Sequence, residues 1–235
     1  MLYFLFILLV LLTNIIQGIT GFAGTVLAMP FAILMFGIDT AKPVLTVLTT
    51  LACLMVVCRS WRSIAWKEFG RMFVLMFIGV FAGEYLYRQA SPDLLLPVYA
   101  VFIIAIALRG MFQKEERDLP PACLMLIVLG AGVIHGMFIS GGPLLIIYAV
   151  KKIPEKEQFR STLSLIWIAL NIYLLAKQAS AGLFSAPTLH LAVIGVPALI
   201  LGVAAGSILA KKMSQEVFLR LTYILLLISG ATLLL

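Results

Sequence analysis

The sequence predicts an all-α polytopic membrane protein built as two inverted repeats. Each repeat is a broken or re-entrant helical hairpin followed by three transmembrane helices. Three observations carry this. The 235 residues are 63% hydrophobic and 11% charged, with a mean hydropathy of +1.14, far more apolar than a soluble domain. A glycine-rich stretch, Gln17-Gly18-Ile19-Thr20-Gly21-Phe22-Ala23-Gly24, recurs as His135-Gly136-Met137-Phe138-Ile139-Ser140-Gly141-Gly142, an offset of 118. The 17 basic residues cluster in short loops, so the net charge of +7 reflects membrane orientation rather than affinity for nucleic acid.

Apolar segments fall at 1–17, 22–36, 43–58, 70–88, 93–112, 121–135, 142–150, 161–176, 187–210 and 217–235. The first, MLYFLFILLVLLTN, has no basic n-region and no small-residue cleavage site, so it is expected to be retained. Segments flanking the two glycine stretches are short, since fifteen helical residues rise only about 22 Å against a core of about 30 Å. They are expected to be the arms of hairpins at 1–36 and 121–150, with tips near Gly18–Gly24 and Gly136–Gly142. Whether the hairpins are re-entrant or fully crossing stays open, because both give the same parity.

Charge supports the hairpins. With each hairpin entering and leaving on one side, the loops at 59–71, 109–117, 151–160 and 211–220 share a face and hold 14 basic residues. Lys42, Arg88 and Lys177 are left on the other. A single crossing per broken segment would divide them 8 to 9, against the positive-inside rule. The basic face is then cytoplasmic and both termini lie outside.

The repeat runs beyond the glycines. Asp39, Lys42 and Thr46 match Glu157, Arg160 and Ser164 at the offset of 118. After a five-residue shift, Gly79, Gly83, Arg88, Ser91 and Asp93 match Gly202, Gly206, Lys211, Ser214 and Glu216. The expected organisation is a first repeat at 1–112, a cytoplasmic linker at 113–120 and a second repeat at 121–235. Three crossings per unit is odd, so the second unit is inverted and the two breaks can meet near the midplane. Broken helices in corresponding halves point to a transporter's binding site, since unpaired backbone in lipid is tolerated only where protein or a wet cavity surrounds it.

The stretch Gly21-Phe22-Ala23-Gly24-Thr25-Val26-Leu27-Ala28-Met29-Pro30 resembles the first-repeat signature of the TauE/SafE family of sulfite and organosulfur-anion exporters. Gly141-Gly142-Pro143-Leu144-Leu145-Ile146-Ile147-Tyr148, followed by Phe159-Arg160-Ser161-Thr162-Leu163, resembles the second. The likeness departs at Ala23-Gly24-Thr25, where a more glycine-rich run is usual, and at Leu144, where a second proline is common. The resemblance implies an anion permease of the bacterial inner membrane, exporting sulfite or an organosulfonate. Import of a sulfonate or carboxylate on the same scaffold, or a non-transporting role in membrane assembly, are the alternatives.

The expected substrate-binding residues surround the breaks: Gln17, Thr20, Gly21, Gly24 and Thr25 at the first, and His135, Ser140, Gly141 and Gly142 at the second. Ser140 is read as a helix N-cap and Pro143 as a first-turn residue, so bare N–H groups and the helix dipole would hold an anion without a charged side chain. Thr46 and Ser164 open the following spans on symmetric positions and join the set. His135 is the candidate carrier of a coupling proton, with sodium the other candidate ion. Asn14 flanks the first break and Asn171 lies on the span after the second. Lys42 and Arg160 are read as interfacial anchors, Glu84 as a local partner of Arg88, and the glycine pairs 79/83 and 202/206 as packing surfaces. Cys53, Cys58 and Cys123 have no metal-ligand spacing and are read as buried small hydrophobes. No metal site, cofactor or catalytic constellation is expected, because HExxH, paired intramembrane aspartates and a P-loop are all missing. The expected partners are a small anion and the lipid bilayer.

Overall fold

The computed structural model describes residues 1–89, 92–112, 120–210 and scattered positions between 212 and 231. All of the expected linker at 113–120 except Pro120, and most of the apolar segment 217–235, lie outside the described residues. So do the repeat positions Ser91, Lys211 and Glu216. Within the described residues the chain is helical: α1 (Leu2–Thr20), α2 (Ala23–Phe36), α3 (Ile38–Ser60), α4 (Trp66–Gln89), α5 (Pro92–Phe112), α6 (Pro121–Phe138), α7 (Gly142–Lys152), α8 (Lys156–Ser180) and α9 (Ala186–Ala210). Six of these, α1, α3, α4, α6, α8 and α9, are long and apolar enough to cross a membrane. The fold is an all-α polytopic membrane protein.

Both glycine stretches break the helix and reverse the chain. Gly21 ends α1 with φ 81°, and its N–H donates to the Gln17 carbonyl at 2.7 Å. Ile139 ends α6 with φ 57°, and its N–H donates to the His135 carbonyl at 2.8 Å. These two residues are 118 apart. Left-handed backbone is free for glycine and strained for a β-branched side chain. After each break the chain packs back on the helix it left. Phe36 at the end of α2 meets Phe6 near the start of α1, ring centroids 5.5 Å apart. Leu144 on α7 approaches Gly130 on α6.

The arms are uneven, which corrects the expectation of short segments on both sides of each break. At about 1.5 Å per residue, the 19 residues of α1 rise about 28 Å and the 18 of α6 about 27 Å. Only the return arms are short: α2 has 14 residues and α7 has 11. Gly18 and Gly136 belong to the helices, and the breaks proper are Gly21–Phe22 and Ile139–Gly141.

Glycines fix the way the long arms pack. On α4, a Cβ at Gly83 would fall on the Val133 carbonyl oxygen of α6; on α9, one at Gly206 would fall on the Ile15 carbonyl oxygen of α1. Val133 and Ile15 are themselves 118 apart. Gly79 and Gly202 make the matching close approaches to Leu129 and Leu11. These are helix–helix surfaces of the small-residue kind. The helices α3 and α8 pack against each other in the centre, antiparallel, joined by hydrogen bonds from Gln178 to Thr46 and from Ser60 to Glu157.

The ends of the molecule sort the charges. Tyr148 donates to Glu68, and Lys156 to the Ala210 carbonyl. With the Ser60–Glu157 bond, these gather the loops near 60–71, 148–160 and 210 at one end. Lys42, Arg88 and Lys177 line one small cavity at the other. That grouping is the one the hairpin parity gives.

Candidate functional site

The two tips meet inside the protein. A Cβ at Gly142 would stand 3.0 Å from the Phe22 ring. Trp167 of α8 donates its indole N–H to the Gly21 carbonyl at 3.1 Å. Every predicted site residue is buried: Gln17, Thr20, Gly21, Gly24, Thr25, Thr46, His135, Ser140, Gly141, Gly142 and Ser164. The structure gathers most of them about the tips, and their hydrogen bonds divide them.

The first tip is closed by its own side chains. Thr20 Oγ1 accepts from the N–H groups of Phe22 and Ala23 at 3.0 and 3.1 Å. Gln17 Oε1 accepts from the Gly24 N–H at 2.9 Å. Gln17 Nε2 donates to Cys53 Sγ at 3.5 Å. Thr25 bonds to Thr49 of α3. The start of α2 is therefore capped from within, and the expectation of bare N–H groups there is corrected: Thr20 and Gln17 occupy them.

The second tip is built on the same plan and left open. His135 stands where Gln17 does, 118 residues on, and Asn171 stands where Cys53 does. His135 Nε2 meets Asn171 Oδ1 at 3.0 Å, the counterpart of the Gln17–Cys53 bond. The imidazole stacks on Trp167, centroids 5.0 Å apart. Among the described residues, His135 Nδ1 and Asn171 Nδ2 are buried with no hydrogen-bond partner, and so is Ser164 Oγ, on the turn of α8 between Arg160 and Trp167 that packs against Gly21 of the first tip. Ser140 is not an N-cap. Its hydroxyl donates to the Phe138 carbonyl at 2.9 Å and accepts from Tyr99 at 2.7 Å, and among the described residues no side chain caps the start of α7. Pro143 does take the first turn of α7, as expected.

Several expectations for single residues change. Lys42 and Arg160 are only 9% and 8% exposed, not surface anchors. Lys42 Nζ donates to the Gly136 carbonyl at 2.9 Å and lies over the Tyr87 ring at 4.1 Å. The carbonyl belongs to the last turn of α6, where a cation is favoured. Arg160 packs against Gly21 and donates to Ser207 at 2.8 Å. So each cation of one half braces the hairpin of the other. Glu84 accepts from Tyr173 at 2.8 Å rather than pairing with Arg88 among the described residues. Thr46 donates to the Lys42 carbonyl and accepts from Gln178. Of the cysteines, Cys53 is buried, while Cys58 and Cys123 are exposed on the helix surfaces. Sequence reasoning passed over Cys53 as a polar partner, although its offset of 118 from Asn171 carries that signal.

Residues 6–233 match the family model described as sulfite exporter TauE/SafE. The chain is also similar to the probable inner membrane transporter protein TsaS of Comamonas testosteroni, 25% identical over 178 residues that span 74% of each chain. No solved structure matches the chain.

Proposed function

The chain belongs to the sulfite exporter TauE/SafE family and is a membrane transporter rather than an enzyme. From that premise we propose that it exports a small anion, sulfite or an organosulfonate, bound at the second tip where the two breaks meet. One observation carries the reading. Among the described residues, two polar atoms beside the second tip, on His135 and Asn171, are buried with no partner, and a third, on Ser164, lies on the turn of α8 that reaches the first break at Gly21. Buried polar atoms are ordinarily paired, and leaving one unpaired costs about 1–3 kcal/mol. An anion supplies what this group lacks. The Asn171 amide N–H, the Ser164 hydroxyl and the α7 N–H groups donate, and the dipole of α7 points its positive end at the ligand.

The geometry at His135 suits proton coupling. With Nε2–H donating to Asn171 Oδ1, Nδ1 is the open atom. A proton placed there makes the ring a second donor toward the anion, so anion and proton bind together. Gln17, at the matching position, has no such atom. The two halves are read as inverted repeats at 1–112 and 121–235, with hairpins at 1–36 and 121–150. Rocking of one hairpin on the other opens the site to each side in turn. The basic loops face the cytoplasm and both termini lie outside.

The test is binding and flux with purified protein. Sulfite, sulfoacetate, sulfolactate and simple carboxylates are screened for thermal stabilisation, then for transport in proteoliposomes across a pH gradient. Saturable movement of a sulfur oxyanion, lost in Asn171→Leu, is expected. Failure of every anion in the panel to bind or move would contradict the reading.

A further inference from the structure

The open polar atoms follow a rule that the tips alone do not explain. Among the described residues, five buried side-chain atoms lack a partner, and four of them belong to α8: Arg160 Nε, Ser164 Oγ, Asn171 Nδ2 and Gln178 Oε1. The fifth, on His135, belongs to the residue bonded to Asn171. Positions 160, 164, 171 and 178 lie four, seven and seven residues apart. At 3.6 residues per turn they form one stripe along a single face, with Trp167 between the middle two. All four are at least nine-tenths buried. The stripe runs most of the length of α8, from the basic end of the molecule to the other.

The matching stripe of α3 is a control within the same molecule. Subtracting 118 gives Lys42, Thr46, Cys53 and Ser60, with Thr49 opposite Trp167. Each has a partner. Lys42 bonds to Gly136 and Thr46 to Lys42 and Gln178. Thr49 bonds to Thr25, Cys53 to Gln17 and Ser60 to Glu157. Lys42, Thr46 and Cys53 are buried like their counterparts on α8, and only Ser60, opposite Gln178, is partly exposed, so burial does not account for the difference at the first three pairs.

We propose that the polar stripe of α8 is the translocation track, along which the anion passes from Arg160 through Ser164 and Asn171 to Gln178, while the stripe of α3 is a fixed wall. This rests on the anion-transport reading above and adds to it Arg160 and Gln178 as contacts on the path. The chemistry of the open atoms fits the cargo. Three of the four are donors, the kind an anion needs as its hydration is stripped. The fourth, Gln178 Oε1, is an acceptor, on a residue that lines a cavity of about 170 Å³ together with Asp39, Lys42, Glu84, Arg88 and Lys177. There the basic side chains supply the positive charge. The acceptor suits a cargo that carries its own donor, such as a protonated oxyanion or a hydroxysulfonate.

The track is tested by cysteine accessibility in proteoliposomes. In a background of C53A, C58A and C123A, single variants S164C, N171C and Q178C on α8 are compared with T46C and T49C on α3. The probe is sulfonatoethyl methanethiosulfonate, itself a small organic anion. During turnover the α8 positions are expected to react at least tenfold faster than the α3 positions, and to be protected by sulfoacetate. Equal reactivity on both helices, or the reverse order, overturns the proposal. S164C and Q178C bracket the path if N171C does not fold. The outcomes separate the two readings. Failure of every tested anion to bind or move would sink the transport reading, and the track with it. Transport with an inert α8 would sink the track alone.

Discussion

At the first hairpin tip, Thr20 and Gln17 occupy the N–H groups of Phe22, Ala23 and Gly24. At the second, Ser140 accepts from Tyr99, and among the described residues no side chain caps the start of α7. The backbone is the same in both: a helix ended by a left-handed residue, then a short arm folded back. What differs is the side chains placed on that frame. A common architecture thus carries one tip whose backbone is capped by its own side chains and one that, among the described residues, keeps buried polar atoms without partners. Ile139 strengthens the contrast. It holds a conformation that glycine holds at position 21, and strain of that kind collects where function over-determines the backbone.

The largest expected contrast is between Gly142 and Gly24. Gly142→Leu puts bulk against the Phe22 ring, the movable part of a side chain. The variant should fold and reach the membrane yet show no transport. Gly24→Leu drives a Cβ onto the Thr13 carbonyl oxygen and Gln17, 2.8 and 2.6 Å away, so folded protein itself should be lost. Size-exclusion profiles alongside flux separate the two, and active Gly142→Leu would break the comparison.

Next come Asn171 and Cys53, the matched partners of His135 and Gln17. Hydrogen bonds to charged groups are worth roughly 1.5–3 kcal/mol, and about 1.4 kcal/mol is tenfold in affinity. Asn171→Leu should therefore weaken anion binding about tenfold or more, and Cys53→Ala by less than about threefold, because sulfur is a weak acceptor. Calorimetric titration of the transported anion reads both. At the same site, His135→Gln should keep binding and flatten the pH dependence of transport; an unchanged pH profile would return the proton role to another group.

Backbone strain gives a smaller effect. Gly21→Ala forces a Cβ into left-handed backbone, about 1–2 kcal/mol, beside the Arg160 carbonyl oxygen at 3.0 Å. Ile139→Gly removes a buried side chain but also releases strain of roughly 1–3 kcal/mol. It should cost less than Ile166→Ala, an unstrained and fully buried comparison expected to lose about 2–5 kcal/mol. Thermal unfolding in detergent ranks the three. The smallest pair is Thr20→Ala, which loses a cap worth about 0.5–2 kcal/mol, against Ser140→Ala. The latter should cost about 0.5–1.5 kcal/mol through its Tyr99 bond without disturbing the start of α7.

Much of this frame was legible in the chain. Hydropathy, the offset of 118 and the loop charges place the helices, the two breaks and the grouping of loops, because each depends on composition or spacing that lipid enforces directly. The site was legible in its members and less so in its wiring. Gln17 and His135 align, yet nothing in the sequence says that the glutamine is spent on Gly24 while the imidazole keeps an atom free. That depends on where the chain turns, and a left-handed Ile139 is not a residue type that announces a turn. Lys42 and Arg160 read as surface anchors because a lone base near a span end ordinarily snorkels. Their burial follows from the tips of the opposite hairpins, a contact that local pattern does not contain. Cys53 illustrates the reverse: its match to Asn171 was available from the offset alone.

The proposed position of the anion is at the second tip, between the breaks. Anomalous diffraction from crystals grown with selenite, a heavier analogue of sulfite, tests it most directly. One strong selenium peak is expected within hydrogen-bonding reach of His135 Nδ1, Asn171 Nδ2 and the N–H groups at the start of α7, and none at the capped start of α2. Selenium bound only among the surface bases near Arg71 and Lys152, with the second tip empty, would contradict it.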